Sequence, residues 1–204
     1  MSSIGLIVGT AIVAYLLGCL DAGYYLVRFR TGRDIREHGS GGTGARNAGR
    51  VLGRAGFIIV FIVDCLKGAA AVWAASLMGT GRAGMGLAAM AVVVGHVLPI
   101  QLHFRGGKGA SAALGALLVL APRVAIAALL ASAAFYLISR KPIASGVAAF
   151  VLMPAFAWTF GYSTSDMIAV SAVTTLLLIT HRQHLPELTG LLRRTRPAIE
   201  EPSP

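Results

Sequence analysis

Two glycine-rich basic segments carry the residue types suited to gripping phosphate. The first reads Gly39-Ser40-Gly41-Gly42-Thr43-Gly44-Ala45-Arg46-Asn47-Ala48-Gly49-Arg50, with five glycines in its first eleven residues. Glycine tolerates left-handed backbone and close approach to a ligand, and successive N–H groups in such a loop form an anion-binding nest. Ser40, Thr43 and Asn47 add donors, and Arg46 and Arg50, four apart, suit one helical face from which a guanidinium binds phosphate with two parallel bonds. The second segment, Phe104-Arg105-Gly106-Gly107-Lys108-Gly109, is not a Walker loop: Leu102 stands where the first glycine belongs and Gly109 where Ser or Thr belongs. What it offers is a glycine-flanked lysine at the start of an apolar run, where a helix N-terminus attracts an anion.

Three further groups are candidates. Asp64 and Lys67, in D-x-x-K-G within an apolar run, are expected to pair across one helical turn, either as a structural polar pair or as part of a site, since charges in a span are costly and by default functional. His181-Arg182-Gln183-His184 suits phosphate contact or proton transfer better than metal binding, because only Glu187 lies near to complete a ligand set. His96 and His103, both just before the second loop, read as packing or interfacial histidines, and Cys19 and Cys65 as small packing residues. Asp21 has no partner that sequence identifies.

The elements that must hold these residues are membrane-spanning helices. The 204 residues are 56% hydrophobic and 13% charged, with mean hydropathy +0.74. Soluble domains carry about 25% charged residues, so soluble, secreted, disordered and nucleic-acid-binding classes are excluded despite the net charge of +10. Apolar segments run at 4–27, 56–79, 84–103, 110–121, 124–139, 143–161 and 166–180. The fourth and fifth are short and admit a single helix kinked at Pro122-Arg123. Loops rich in Lys and Arg stay cytoplasmic. Seven spans with the N-terminus outside place fifteen of the eighteen basic residues inside, leave only Arg82 and Arg123 outside, and put Lys67 within a span. The expected fold is therefore all-α and polytopic, with about seven transmembrane helices and a cytoplasmic C-terminus. One membrane-embedded domain covers 1–190, and a short basic then Pro/Glu-containing tail covers 191–204. Leu16-Leu17-Gly18-Cys19 faintly resembles a lipoprotein cleavage box, but no basic residue precedes it, so the N-terminus is expected to be an uncleaved first span.

The series G-S-G-x-x-G-A-x-N-x-x-R, D-x-x-K-G, G-H-x-x-P-x-x-x-x-F-x-G-G-K-G and a final H-R resembles the bacterial PlsY-type glycerol-3-phosphate acyltransferases over about residues 5–190. The resemblance implies acyl transfer from acyl-phosphate to the 1-hydroxyl of glycerol 3-phosphate at the cytoplasmic face of the bacterial inner membrane, giving lysophosphatidic acid. It implies catalytic roles for Ser40, Arg50, Lys108 and His181, and substrate binding by Gly39, Gly41, Gly44, Asn47, Gly106, Gly107, Gly109 and His184. The soluble acyltransferase signature H-x-x-x-x-D follows none of the five histidines. The chain departs from the family pattern at Gly42 (usually Asn), Arg46 (Thr), Pro142 (Ser), His184 (Asn) and Glu187 (Arg). No cofactor, metal or nucleic acid is expected; the partners are the bilayer and the two substrates, and a monomer suffices. The alternatives are a catalytically weak relative that binds lipid or a partner, and a small organic-phosphate transporter.

Overall fold

The computed structural model describes residues 3–187, and within them eight α-helices and no strand. They are α1 (Ser3–Cys19), α2 (Ala22–Thr31), α3 (Ala45–Leu77), α4 (Gly81–Val97), α5 (Ala110–Leu120), α6 (Pro122–Ser139), α7 (Pro142–Thr159) and α8 (Thr164–Thr180). The tail at 191–204 lies outside the described residues.

Small residues set the packing. Lipid is as apolar as leucine, so helices in a membrane associate through close backbone approach, which glycine permits. Where α3 crosses α5, a Cβ on Gly68 would overlap the Ala112 carbonyl and one on Gly115 the Cys65 carbonyl. Gly18 and Gly95 bring α1 against α4 in the same way. The buried core around Val72, Val92, Val93, Leu117, Val173 and Leu177 joins α3, α4, α5 and α8. Large apolar side chains such as Ile4, Ile12 and Leu16 on α1 and Leu130, Leu137 and Ile138 on α6 face outward, as a lipid-facing surface requires.

Hydrogen bonds mark two ends. At one, Arg82 at the start of α4 bonds Asp166 at the start of α8 (Nε to Oδ1, 2.9 Å) and the Leu120 carbonyl at the end of α5 (2.6 Å). At the other, Thr180 at the end of α8 donates to the Lys108 carbonyl just before α5 (2.9 Å). The seven helices α1 and α3 to α8 alternate between these ends. The fourth and fifth apolar segments are two helices, separated at Ala121 (φ −143°, ψ 68°), because Pro122 opens α6 and cannot continue α5. Five helical stretches are long and apolar enough to cross a membrane: Ile4–Thr31, Ala45–Leu77, Gly81–Leu102, Pro122–Ser139 and Pro142–Thr159. The helices Ala110–Leu120 and Thr164–Thr180 are shorter, and most of α5 is buried within the bundle.

Two boundaries differ from the sequence reading. The first apolar segment is broken at Leu20-Asp21, where the fully buried Asp21 caps α2 by accepting from the Tyr24 N–H (3.3 Å) and takes the Thr43 hydroxyl (2.5 Å). The segment 28–55, read as a loop, ends in the first turns of α3. That helix is interrupted at Gly53 (φ 72°, ψ −165°), a conformation open essentially to glycine alone. The interruption sets the direction of residues 45–52, which carry Arg46, Asn47 and Arg50.

Candidate active site

The first glycine loop is organised by Asn47. Its amide nitrogen donates to the carbonyls of Ile35 (3.1 Å), His38 (2.8 Å) and Gly42 (2.8 Å), and its Oδ1 accepts the Ser40 N–H (3.1 Å). Asn47, expected as a substrate ligand, therefore spends its amide on the shape of the loop. Thr43, expected as a nest donor, is occupied by Asp21. Gly39 and Gly41 take positive φ (61° and 71°), and a Cβ on Gly39 would collide with the Asn47 carboxamide. Ser40, Gly44, Arg46 and Arg50 are left lining a cleft.

The second loop joins the first through Thr43 N–H to the Gly106 carbonyl (3.4 Å). The N–H groups of Gly106 and Gly107 bond the Val97 and His96 carbonyls (3.1 and 3.0 Å), so they build the loop instead of facing the cleft. The N–H groups of Ala110 and Ser111, in the first turn of α5, have no intrahelical acceptor. Those two residues line the cleft with Lys108 and Gly109. Burial, then the charges of Arg46 and Arg50, push the Lys108 ammonium below the ordinary lysine value.

The end of α8 supplies two histidines. His181 is 8% exposed, and its Nδ1 lies 2.8 Å from the Leu177 carbonyl. Nδ1 therefore carries the hydrogen, leaving the Nε2 lone pair without a partner among the described residues. Burial is the main cause that holds the His181 imidazole below the usual histidine range, opposed by the Leu177 carbonyl and reinforced by Lys108, His184 and Arg46. His184 Nδ1 meets Glu187 (2.9 Å), and its Nε2 accepts from the Gln183 amide (3.0 Å), with Lys108 Nζ at 3.4 Å.

These pieces meet in one cleft of about 340 Å³. Three helix N-termini converge on it, those of α3, α5 and α7, and none has a side-chain cap. By contrast, α2 and α8 are capped by Asp21 and Ser163. Arg46, Arg50 and Lys108 line it, and among the described residues none has a carboxylate within salt-bridge distance. Uncapped N–H groups, helix dipoles and unpaired cations together make an anion site. Four of the five departures from the family pattern, Gly42, Arg46, Pro142 and His184, line this cleft, and the fifth, Glu187, pairs with His184. A second cavity of about 210 Å³ continues from it. Phe61, Ala110, Ser111, Gly146 and Phe150 are common to both, and Leu117, Leu129 and Met153 line the apolar extension.

The floor holds the Asp64–Lys67 pair together with His96. Asp64 and Lys67 pair at 2.8 Å, both buried. Lys67 Nζ also donates to the Leu20 carbonyl (2.8 Å) and lies 2.9 Å from His96 Nδ1. His96 lines the cleft, whereas a lone histidine near an apolar run had read as packing. Its position one residue after Gly95 and ten before Gly106 was the available signal.

Comparison with known proteins identifies the family. Residues 8–190 match the family model described as glycerol-3-phosphate acyltransferase. Glycerol-3-phosphate acyltransferase 1 of Desulfitobacterium hafniense is 37% identical over 175 residues, covering 86% of this chain and 87% of the relative. The Synechococcus elongatus glycerol-3-phosphate acyltransferase is 45% identical over 159 residues, covering 72% and 76%. The crystal structure of PlsY, an integral membrane glycerol 3-phosphate acyltransferase, in its glycerol 3-phosphate form matches with a TM-score of 0.82 at 29% identity over 93% of both chains. Its lysophosphatidic acid form matches at 0.79 and 27%. The chain is an all-helical integral membrane protein and belongs to the glycerol-3-phosphate acyltransferase family.

Proposed function

We propose that the chain transfers an acyl group from an acyl phosphate to the 1-hydroxyl of glycerol 3-phosphate, releasing phosphate and lysophosphatidate, in the cleft between α3, α5, α7 and α8. The observation that carries this reading is the continuity of an unpaired cationic pocket with an apolar groove. One end suits a soluble phosphate and the other a lipid chain, and the reacting carbonyl of an acyl phosphate lies between two such parts.

An acyl phosphate is already activated, so no covalent enzyme intermediate is needed. The harder task is to bring two anions together. Arg50, Lys108 and the open N-termini of α3 and α5 neutralise the phosphates and the oxyanion that develops at the carbonyl. Arg46 adds a cation on the same wall, and Ser40 supplies a hydroxyl at the mouth. The glycerol hydroxyl attacks the carbonyl carbon, and its proton passes to His181 Nε2, which is neutral at pH 7. The carbon–oxygen bond to phosphate then breaks, and phosphate leaves with its charge balanced by Lys108. Asn47 acts through the loop it holds. His184, buttressed by Glu187, stands 3.4 Å from Lys108 Nζ.

The cleft end carries most of the basic residues, including Arg28, Arg30, Arg33, Arg105, Arg140 and Lys141, while Arg82 and Arg123 mark the other end. The positive-inside rule turns the cleft to the cytoplasm of a bacterial inner membrane, with the N-terminus outside. The test uses purified full-length protein, palmitoyl phosphate and labelled glycerol 3-phosphate. Labelled lysophosphatidate is the expected result, with none formed from palmitoyl-CoA. Binding without product would mark a catalytically weak relative, and uptake into proteoliposomes without acylation a transporter.

A further inference from the structure

Beneath the second glycine loop lies a buried group that the mechanism above does not use. Lys67 Nζ is surrounded by three acceptors: the Leu20 carbonyl at 2.8 Å, Asp64 Oδ1 at 2.8 Å and His96 Nδ1 at 2.9 Å. Asp64, Lys67 and His96 are each at most 6% exposed. Asp64 and Lys67 balance one another in charge. Asp64 Oδ1 also lies 3.5 Å from His96 Nδ1, but that oxygen is held at 2.8 Å by Lys67, so an imidazolium would set two cations 2.9 Å apart over one shared carboxylate in a buried site. His96 is therefore neutral, and the ammonium beside Nδ1 requires a lone pair there, so the hydrogen sits on Nε2.

That nitrogen has no protein partner among the described residues, and His96 lines the cleft. A Cβ on Gly107 would fall on Nε2, so glycine at this position leaves the nitrogen uncovered. The same Gly107 donates its N–H to the His96 carbonyl (3.0 Å), locking loop and ring together. A buried N–H without a partner is destabilising, and a substrate oxygen arriving there satisfies it. We infer that His96 is a further donor of the active site, its Nε2–H presented to a substrate oxygen at the cleft floor, with Lys67 as the positioning residue that fixes its tautomer. The inference rests on the acyl-transfer reading, and it adds a neutral donor to a cleft otherwise lined by cations. It is the opposite tautomer to His181, which presents a lone pair. One cleft thus holds a neutral hydrogen-bond donor and a base of the same residue type, sorted by what holds each Nδ1.

The test pairs substitution with spectroscopy on the full-length protein in lipid nanodiscs. Gln at position 96 can accept from Lys67 and donate to the cleft, whereas Phe can do neither. His96→Gln should keep turnover within about tenfold of the parent, while His96→Phe should lower kcat about 10²-fold with KM for glycerol 3-phosphate little changed. Gly107→Ala should lower kcat by covering Nε2, and it should add little to His96→Phe. Equal losses in the Gln and Phe variants would assign His96 to packing and overturn the inference. If His96→Phe does not fold, the ¹⁵N imidazole spectrum of the parent, assigned by the signal missing from His96→Gln, decides the matter. An Nε2–H signature is expected, and an Nδ1–H or imidazolium signature overturns it. That spectrum stands apart from turnover, so an inactive parent would count against the acyl-transfer reading and leave the tautomer result intact.

Discussion

At the residue scale the cleft separates groups that meet substrate from groups that shape what meets it. Asn47 belongs to the second kind. Asn47→Ala leaves three carbonyls and the Ser40 N–H without their partner. It should destabilise the loop by about 1–3 kcal/mol, lower the melting temperature and raise KM for glycerol 3-phosphate. A variant with unchanged melting and kinetics would remove Asn47 from that role. His181 gives the pH dependence. Its pKa lies below the ordinary histidine value of about 6.5, and the proposed proton transfer needs Nε2 unprotonated. The acid limb of kcat/KM should therefore fall below that pH, with a plateau above it. In His181→Gln the limb should vanish with much of the activity, leaving only the substrate phosphate's own titration near pH 6. Folding follows the same sign. The unfolded chain binds this proton more readily, so the site loses stability as pH falls below about 6.5. The glycine and basic composition made both loops and His181 legible in sequence. His96 was not, because its partners Lys67 and Asp64 come from a separate helix, and a single histidine beside apolar residues reads as packing.

At the element scale three uncapped helix N-termini do what a single loop could not. The backbone break at Gly53 aims the first turns of α3 into the cleft. Gly53→Ala meets no steric neighbour but forces a left-handed φ on a side chain, at roughly 1–3 kcal/mol. It should reduce turnover by misdirecting Arg46 and Arg50, more than its effect on melting would suggest. Activity unchanged at a reduced melting temperature would confine Gly53 to stability. The opposite end supplies the contrast. Arg82 ties α4, α5 and α8 together through Asp166 and the Leu120 carbonyl, and Asp166 is nearly buried. Arg82→Leu leaves that carboxylate with the Ser163 hydroxyl but no counter-charge and should lower the melting temperature, while KM for glycerol 3-phosphate stays at the parent value because the cleft is at the other end. The lengths of the apolar runs and the placement of Lys and Arg made the apolar helices legible. The break between α1 and α2 escaped because the hydroxyl that holds Asp21, from Thr43, lies 22 residues away.

At the scale of the whole molecule, charge asymmetry and site placement are one arrangement. The basic residues that orient the chain in the membrane surround the mouth of the cleft, and three of them, Arg46, Arg50 and Lys108, line its wall. A membrane-impermeant thiol reagent should label Arg105→Cys from the cytoplasmic side and Arg123→Cys from the outside. The reverse pattern would invert the topology. On the proposed reaction, the apolar groove that opens from the cleft would take a lipid chain from the bilayer while the cations would draw a soluble phosphate from water. The balance of the account falls on one ammonium that has burial and two arginines against it until an anion arrives. The most direct measurement is the turnover of Lys108→Ala with palmitoyl phosphate and glycerol 3-phosphate, on protein that melts like the parent. A fall of about 10²-fold or more in kcat is predicted, and near-parent turnover would contradict the placement of the reaction in this cleft.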